Sequence, residues 1–290
     1  MKFIRYQNEN HIQAALVSDS NEVFPVPYDD YVEFYYVLKN EGLTAQQYLD
    51  THNISPQSTP FDSLKLALPI ESEEIWASGV TYLKSKEARN YEATLGEEKP
   101  AETYYDKVYD AERPEIFFKS TLRRLVGPKD ILYIRNDSKW QIPEPELTLI
   151  IGQGEEIIGY TLGNDMSCRD IEGENPLYLP QAKIWKNSCS IGPAILLPES
   201  ISNPYDIDIT CKIYRGEELM FEGTAFVNQL KRKLDELVHY LVYENDILPG
   251  TALMTGTCIV PPNNFTLEKG DSIEISSERI GVLQNSITRN

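Results

Sequence analysis

"PEPELTLII", residues 143–151, sets Glu144 and Glu146 on either side of a proline, immediately ahead of an apolar run. The run reads as a buried strand. In a strand, residues i and i+2 share a face, so the two carboxylates project together. Pro145 fixes its own φ and offers no N–H to a ladder, which places the pair at a strand start or edge. The turn "GQGEE" and the run "IIGYTLGNDMS" follow, and the whole reads as a hairpin. Pairing the strands about Gly154 sets Asp165 opposite, or nearly opposite, Glu144, whereas a slip of one residue would turn Asp165 to the wrong face. Three unpaired anions that close repel one another, and a hard divalent cation relieves the repulsion. All-oxygen ligation suits Mg²⁺, Mn²⁺ or Ca²⁺ rather than zinc. Three protein ligands also leave positions open for water or substrate. The competing reading is a solvated strand edge, which a bare Glu-x-Glu would favour.

The rest of the chain narrows the setting. Its 290 residues suit one large domain, or a small domain joined to a larger one, and 41% hydrophobic residues fit a globular fold. A formal net charge of -18 argues against nucleic acid as a partner. An anionic substrate would need local attraction from a metal or a focused Lys or Arg. No apolar run approaches the roughly 20 residues that span a bilayer. The start, MKFIRYQNEN, is polar after Ile4 and carries no signal-like stretch, so a cytoplasmic, membrane-free protein is expected. Cys168, Cys189, Cys211 and Cys258 form no C-x-x-C pair and are expected as reduced thiols. His11, His52 and His239 are scattered, which disfavours a three-histidine zinc site and a Ser-His-Asp triad.

Residues 1–27 read as short strands, and residues 29–51 carry helical spacing broken at Gly42, with Thr44 capping a second helix. The stretch "NISPQSTPFD" reads as a linker, giving a small N-terminal α+β domain over 1–70 and a larger, strand-rich domain over 71–290. An amphipathic helix is expected near 226–244, where Leu230, Leu234, Leu237, Val238 and Leu241 recur. Lys231, Arg232, Lys233, Asp235 and Glu236 read as its solvated face. Residues 84–113 are polar and Tyr-rich, and read as a helical insertion or a lid over a site.

Five segments, in order, resemble the fumarylacetoacetate hydrolase family: "GVTY" (79–82), "PEPEL" (143–147), "GYTLGNDMSCRD" (159–170), "AKIWKNSCSIGP" (182–193) and "LMTGT" (253–257). The resemblance implies an α+β, mainly β fold: a mixed β-roll or sandwich core with a small N-terminal domain. It implies Mg²⁺ or Mn²⁺ held by Glu144, Glu146 and Asp165, and substrates that present a 2-oxo-carboxylate. By motif position, Lys183 matches the family's active-site lysine and Thr257 a threonine that contacts substrate. Arg169 matches an arginine near the metal aspartate. A homodimer or larger homo-oligomer is also implied.

The chain departs from the family's hydrolases. They carry G-x-N-Y-x-x-H-x-x-E, whereas "GVTYLKSKEA" sets Ser85 at the histidine and Ala88 at the glutamate. Glu172 stands where the founding hydrolase's motif has glutamine. The missing pair activates the hydrolytic water, so hydrolysis is disfavoured. "WASGVTY", "KVYDAERPEIFFK", "ENPLYLPQAKI" and "GTCIVPP" resemble the family's sugar-acid dehydratase branch, which acts on 2-keto-3-deoxy-D-arabinonate and likewise lacks the pair. That resemblance implies a metal-dependent lyase turning a 2-keto-3-deoxy pentonate into a 2,5-dioxo acid. Other 2-oxo-acid chemistry (C–C hydrolysis, decarboxylation, isomerisation) and a non-catalytic binding relative are the rivals. Two residues are candidates for the C3 proton. Lys183 beside a metal should have a lowered pKa. Glu115 should have a raised one, since Ile116, Phe117 and Phe118 would desolvate it. Ordinary alternatives stand beside each role: an ion-pair partner for Lys183, a surface carboxylate for Glu115, a pair with Asp170 for Arg169, and a strand-turn hydroxyl for Thr257.

Overall fold

The computed structural model describes residues 1–9, 11–94 and 103–289. Every residue of the strand Pro145–Ile151 is buried. It lies between Ile157–Asp165, its hairpin partner, and Thr251–Met254, both antiparallel to it. Leu147, Leu149 and Ile151 enter one core, and Ile150, on the other face, enters a second. A strand covered on both sides has no need of a polar face, which accounts for the unbroken apolar run. Glu144 and Glu146 share the face of Thr148 and Ile150, at the end where the strand leaves the core.

Ten strands form this central sheet. A five-stranded sheet packs over the first core, together with the helix Leu234–Val242. Its strand Asp271–Ser277 alternates buried and half-buried residues, with Ile273 and Ile275 inward. The helices Tyr31–Glu41 and Ala45–Thr51 cover the second core. Asp30 caps the first of these, Gly42 ends it at φ +67°, and Thr44 caps the next with a capping box, as the spacing predicts. The architecture is mainly β with no closed barrel. No helix among the described residues is long and apolar enough to cross a membrane.

The N-terminal strands Lys2–Asn8, His11–Val17 and Val23–Val26 extend the central sheet. Lys2 pairs with Leu196 and Phe3 with Ile195. Residues on both sides of position 70 therefore share one sheet and one core.

Two expectations are corrected. The helix expected near 226–244 spans only Leu234–Val242. Phe226 still belongs to the strand Glu218–Phe226, and Leu230 reaches the core from an extended turn. Helical spacing thus arose from two elements facing one core. Lys231 is exposed, as expected, but Arg232 is buried. Lys231 donates to the Tyr109 carbonyl at 2.6 Å, and Arg232, 8% exposed, donates to the Val108, Ala111 and Glu112 carbonyls. They hold the end of the helix Tyr104–Asp110. In the 84–113 segment, residues 95–102 lie outside the described residues, and the rest forms two helices, Leu83–Thr94 and Tyr104–Asp110. All four cysteines are free, three of them buried.

Candidate active site

The hairpin register sets Gly163 against Glu146 and Asn164 against Pro145, so Asp165 lies across from Glu144. The Asp165 N–H donates to the Glu144 carbonyl at 2.9 Å. One ligand oxygen from each of Glu144, Glu146 and Asp165 falls within 4.8 Å of the others, and all three residues are buried. The Gly256 N–H donates to Glu146 at 2.6 Å. Gly256 has φ +97°, and a Cβ there would strike Thr81, whose hydroxyl bonds the Thr255 carbonyl at 2.8 Å. "LMTGT" thus ends a buried strand in a glycine turn that presents a backbone donor to a carboxylate.

Two lysines enter from opposite sides. The Lys183 ammonium bonds Glu144 and lies 2.9 Å from Asp165. Lys119 lies 2.7 Å from Asp165, with its ammonium also on the Met166 and Lys183 carbonyls at 2.8 and 2.5 Å. Burial alone would lower the Lys183 pKa, but Asp165 and Glu144 outweigh it and hold the ammonium above the ordinary lysine value. Two carboxylates in contact thus keep the ammonium charged, an influence that the sequence reading of Lys183 did not count. Burial raises the Asp165 carboxyl, yet Lys119 and Lys183 bring it below the usual range. Glu146 has no such partner. Burial, then Asp165 and Glu144, push its carboxyl well above the usual range.

Arg169 does not pair with Asp170, which instead accepts from the Ser138 hydroxyl and the Lys139 N–H, each at 2.6 Å. The Arg169 guanidinium joins Glu92 and reaches Glu144 at 3.4 Å. Beside it, Arg89 pairs with Glu172. Burial disfavours the Arg89 cation, and Glu115, Glu92 and Glu144 more than offset it. Arg89, Glu92, Glu172 and Lys119 were not read from the sequence as site residues. The signal was there: Ser85, Arg89 and Glu92 stand at i, i+4 and i+7, one face of a helix.

These side chains surround a small pocket lined by Gly79, Ser85, Arg89, Phe117 and Thr257 as well as the three carboxylates, Arg169 and Lys183. The Ser85 hydroxyl is turned to the Tyr82 carbonyl at 2.8 Å, and no histidine lines the pocket among the described residues. Thr257, 4% exposed, donates to the Ile259 carbonyl at 3.3 Å, the bond of a turn hydroxyl. Glu115 sits one strand over, paired with Gly79, and shares the face of Phe117. A Cβ on Gly79 would overlap its carboxylate. Its Oε2 is buried without a hydrogen-bond partner.

The site fits a divalent cation on its own chemistry. Glu92, Glu115, Glu144, Glu146, Asp165 and Glu172 face four cations, Lys119, Lys183, Arg89 and Arg169. The formal excess is two negative charges, the charge one such ion neutralises, and the two carboxylates outside these ion pairs are Glu146 and Glu115.

Residues 75–288 match the family model described as fumarylacetoacetate (FAA) hydrolase C-terminal. The chain belongs to the fumarylacetoacetate hydrolase family. Within the family it is similar to the "Probable 2-keto-3-deoxyxylonate dehydratase" of Haloferax volcanii, 45% identical over 221 residues, 76% of this chain and 74% of that one. The "2-dehydro-3-deoxy-D-arabinonate dehydratase" of Saccharolobus solfataricus is 43% identical over 230 residues, 78% of this chain and 76% of that one. A solved structure of a 2-keto-3-deoxy-D-arabinonate dehydratase "complexed with magnesium and 2,5-dioxopentanoate" superposes with a TM-score of 0.83 at 34% identity, covering 100% of this chain and 99% of that one. The mixed-sheet fold that the motifs implied is the fold of these family members.

Proposed function

We propose that the chain is a Mg²⁺-dependent dehydratase, a carbon–oxygen lyase converting a 2-keto-3-deoxy pentonate to 2,5-dioxopentanoate in sugar-acid catabolism. The observation that carries this reading is a pocket with a cation-ready carboxylate cluster but no water-activating pair, since Ser85 is spent on a backbone carbonyl. The identities of 45% and 43% to dehydratases support the same substrate class.

Glu144, Glu146 and Asp165 would hold the ion, with Mn²⁺ or Ca²⁺ as substitutes. When bound, it supplies a Lewis acid that draws electron density from a 2-oxo-carboxylate. The C3 proton, acidified by the neighbouring keto group, passes to Glu115, whose Oε2 is buried beside Gly79 of the pocket wall without a hydrogen-bond partner. Lys183, fully buried and held by two carboxylates, protonates the C4 hydroxyl, which leaves as water. A proton then leaves C5 and one returns to C3, so the double bond moves from C3–C4 to C4–C5, and the resulting enol passes its O–H proton to C4 to become the C5 aldehyde. Thr257 and Arg169 contact or orient the substrate, and Phe117 and Val80 keep water from the wall.

Residues 1–70 are taken as an N-terminal unit that widens the sheet of a catalytic unit, 71–290. A homodimer or larger assembly is supported by Leu219, Phe226 and Val282, each about half exposed on the five-stranded sheet. A cytoplasmic location is supported by four free thiols.

The test is a panel of 2-keto-3-deoxy aldonates, acylpyruvates and oxaloacetate, read by mass spectrometry with and without EDTA. Loss of water from a 2-keto-3-deoxy pentonate, abolished by EDTA and restored by Mg²⁺ or Mn²⁺, is the expected result. Turnover of an acylpyruvate or oxaloacetate instead, or full activity in EDTA, overturns the reading.

A further inference from the structure

The resemblance puts His-x-x-Glu just after the tyrosine in the family's hydrolases, and here those positions hold Ser85 and Ala88. One turn further along the helix Leu83–Thr94 stands Arg89-x-x-Glu92, an ionisable pair with the same spacing. Both residues are buried, Arg89 5% and Glu92 2% exposed. They share a face of the helix, but each finds its ion-pair partner on another helix. Arg89 pairs with Glu172, and Glu92 with Arg169, so two crossed ion pairs tie this helix to the helix Arg169–Glu174. The two helices touch closely enough that a Cβ on Gly173 would overlap the Glu92 carbonyl.

Arg169 has two acidic neighbours, and they compete for it. One guanidinium nitrogen meets Glu92, and another reaches Glu144 at 3.4 Å. The other Glu144 oxygen is held by Lys183. Glu144 therefore stands between two cations, and a closer pairing with Arg169 would compete with a metal for its carboxylate. Glu92 takes up that charge from behind. The Glu92 carboxylate is itself only half used: its Oε2 is buried and has no hydrogen-bond partner.

We propose that Glu92 is a positioning residue for cation binding, acting through Arg169 on Glu144. It holds the guanidinium back, fixes the Glu144 carboxylate by a long contact, and leaves that carboxylate free to ligate. In this chain the helix Leu83–Thr94, with Ser85 and Ala88 in its first turns, thus supports the carboxylate cluster through Arg89 and Glu92. The inference rests on the reading of Glu144 as a cation ligand.

The experiment is a double-mutant cycle on Glu92→Gln and Arg169→Met in the full chain, with Mg²⁺ and Mn²⁺ as the probes. Affinity is measured by titration calorimetry and by the Mn²⁺ paramagnetic resonance signal, with no substrate present. Glu92→Gln should weaken cation binding about ten- to a hundredfold, the usual effect of losing a partner behind a ligand. In the Arg169→Met background the same change should have no further effect, because the residue through which it acts is gone. Glu92→Asp, which keeps the charge, should recover part of the loss and serves if the glutamine variant fails to fold. Thr94→Ala, on the same helix, controls for general loosening and should leave the dissociation constant unchanged. If wild-type protein binds neither ion, the metal reading itself fails. If wild type binds, and Glu92→Gln or Glu92→Asp matches it or the two effects simply add, the positioning role is overturned.

Discussion

Asp165 and Glu144 face each other across the hairpin, joined by a 2.9 Å hydrogen bond from the Asp165 N–H to the Glu144 carbonyl. That backbone bond sets the spacing of their side chains before any ion arrives. Lys183 then bridges the two carboxylates, and Lys119 holds Asp165 from the far side. The cluster is thus organised by register first and by charge second.

Asp165→Asn keeps the shape and removes one ligand charge while leaving Lys119 and Lys183 facing a neutral amide. Buried cations that lose a partner destabilise a fold by about 3–5 kcal/mol. The melting temperature should fall, and Mg²⁺ should no longer raise it at millimolar concentration. A variant that still gains stability from Mg²⁺ as wild type does would show that Asp165 is not a ligand.

Glu146→Gln should do the reverse to the metal-free protein. The folded-state pKa of Glu146 is raised above its unfolded value by burial and by Asp165 and Glu144. Its ionisation therefore costs stability as pH rises from the ordinary glutamate value, about 4.3, toward that raised value. Glutamine cannot ionise, and its carbonyl can still accept from the Gly256 N–H. In EDTA the variant should melt about 2–4 °C higher than wild type at pH 8, the shift that about 1 kcal/mol produces in a large domain. The gap should shrink toward pH 5. Adding Mg²⁺ should stabilise only wild type. Equal melting curves at both pH values would contradict the raised pKa.

Glu115→Gln separates chemistry from structure. Glu115 Oε2 has no hydrogen-bond partner to lose. The melting temperature should fall modestly, because Glu115 helps to hold the buried Arg89 cation, and Mg²⁺ affinity should stay close to wild type, while kcat falls about 10²–10⁴-fold, the usual worth of a general base. Steady-state kinetics beside calorimetry checks this. Wild-type kcat in the variant removes Glu115 from the reaction.

Arg232→Ala tests the clamp on the segment leading into Glu115. Arg232 donates to the Val108, Ala111 and Glu112 carbonyls and to Glu236 at 2.7 Å. A buried charged donor is worth about 1.5–3 kcal/mol per hydrogen bond. The variant should be cut faster by protease near residues 104–112, with KM raised more than kcat is lowered. Unchanged cleavage at that segment would mean the clamp is redundant.

Much of the site was legible along the chain because strand periodicity is local. Glu144, Glu146 and Asp165 follow from a period of two and one turn, and Lys183 and Thr257 from motif position. Lys119 was not legible, since nothing beside it in sequence shows that its ammonium ends on Asp165. Arg89 and Glu92 sat in a segment whose polarity suggests solvent, yet both are buried, because each finds an opposite charge on another helix. Arg232 misled for the same reason: a charged side chain is read as exposed unless its partners are visible.

By itself the sequence determined the hairpin, the side of the strand on which the carboxylates lie, the absence of the hydrolytic pair and the family. These depend on residue type and short-range spacing. Only the tertiary structure decided which cations share those carboxylates, that Lys183 is held charged between Glu144 and Asp165, and that the N-terminal strands join the central sheet. Those outcomes come from groups up to about 195 residues apart, such as Lys2 and Leu196. Coulomb energies at contact distance in a buried site outweigh the intrinsic preferences that sequence reveals.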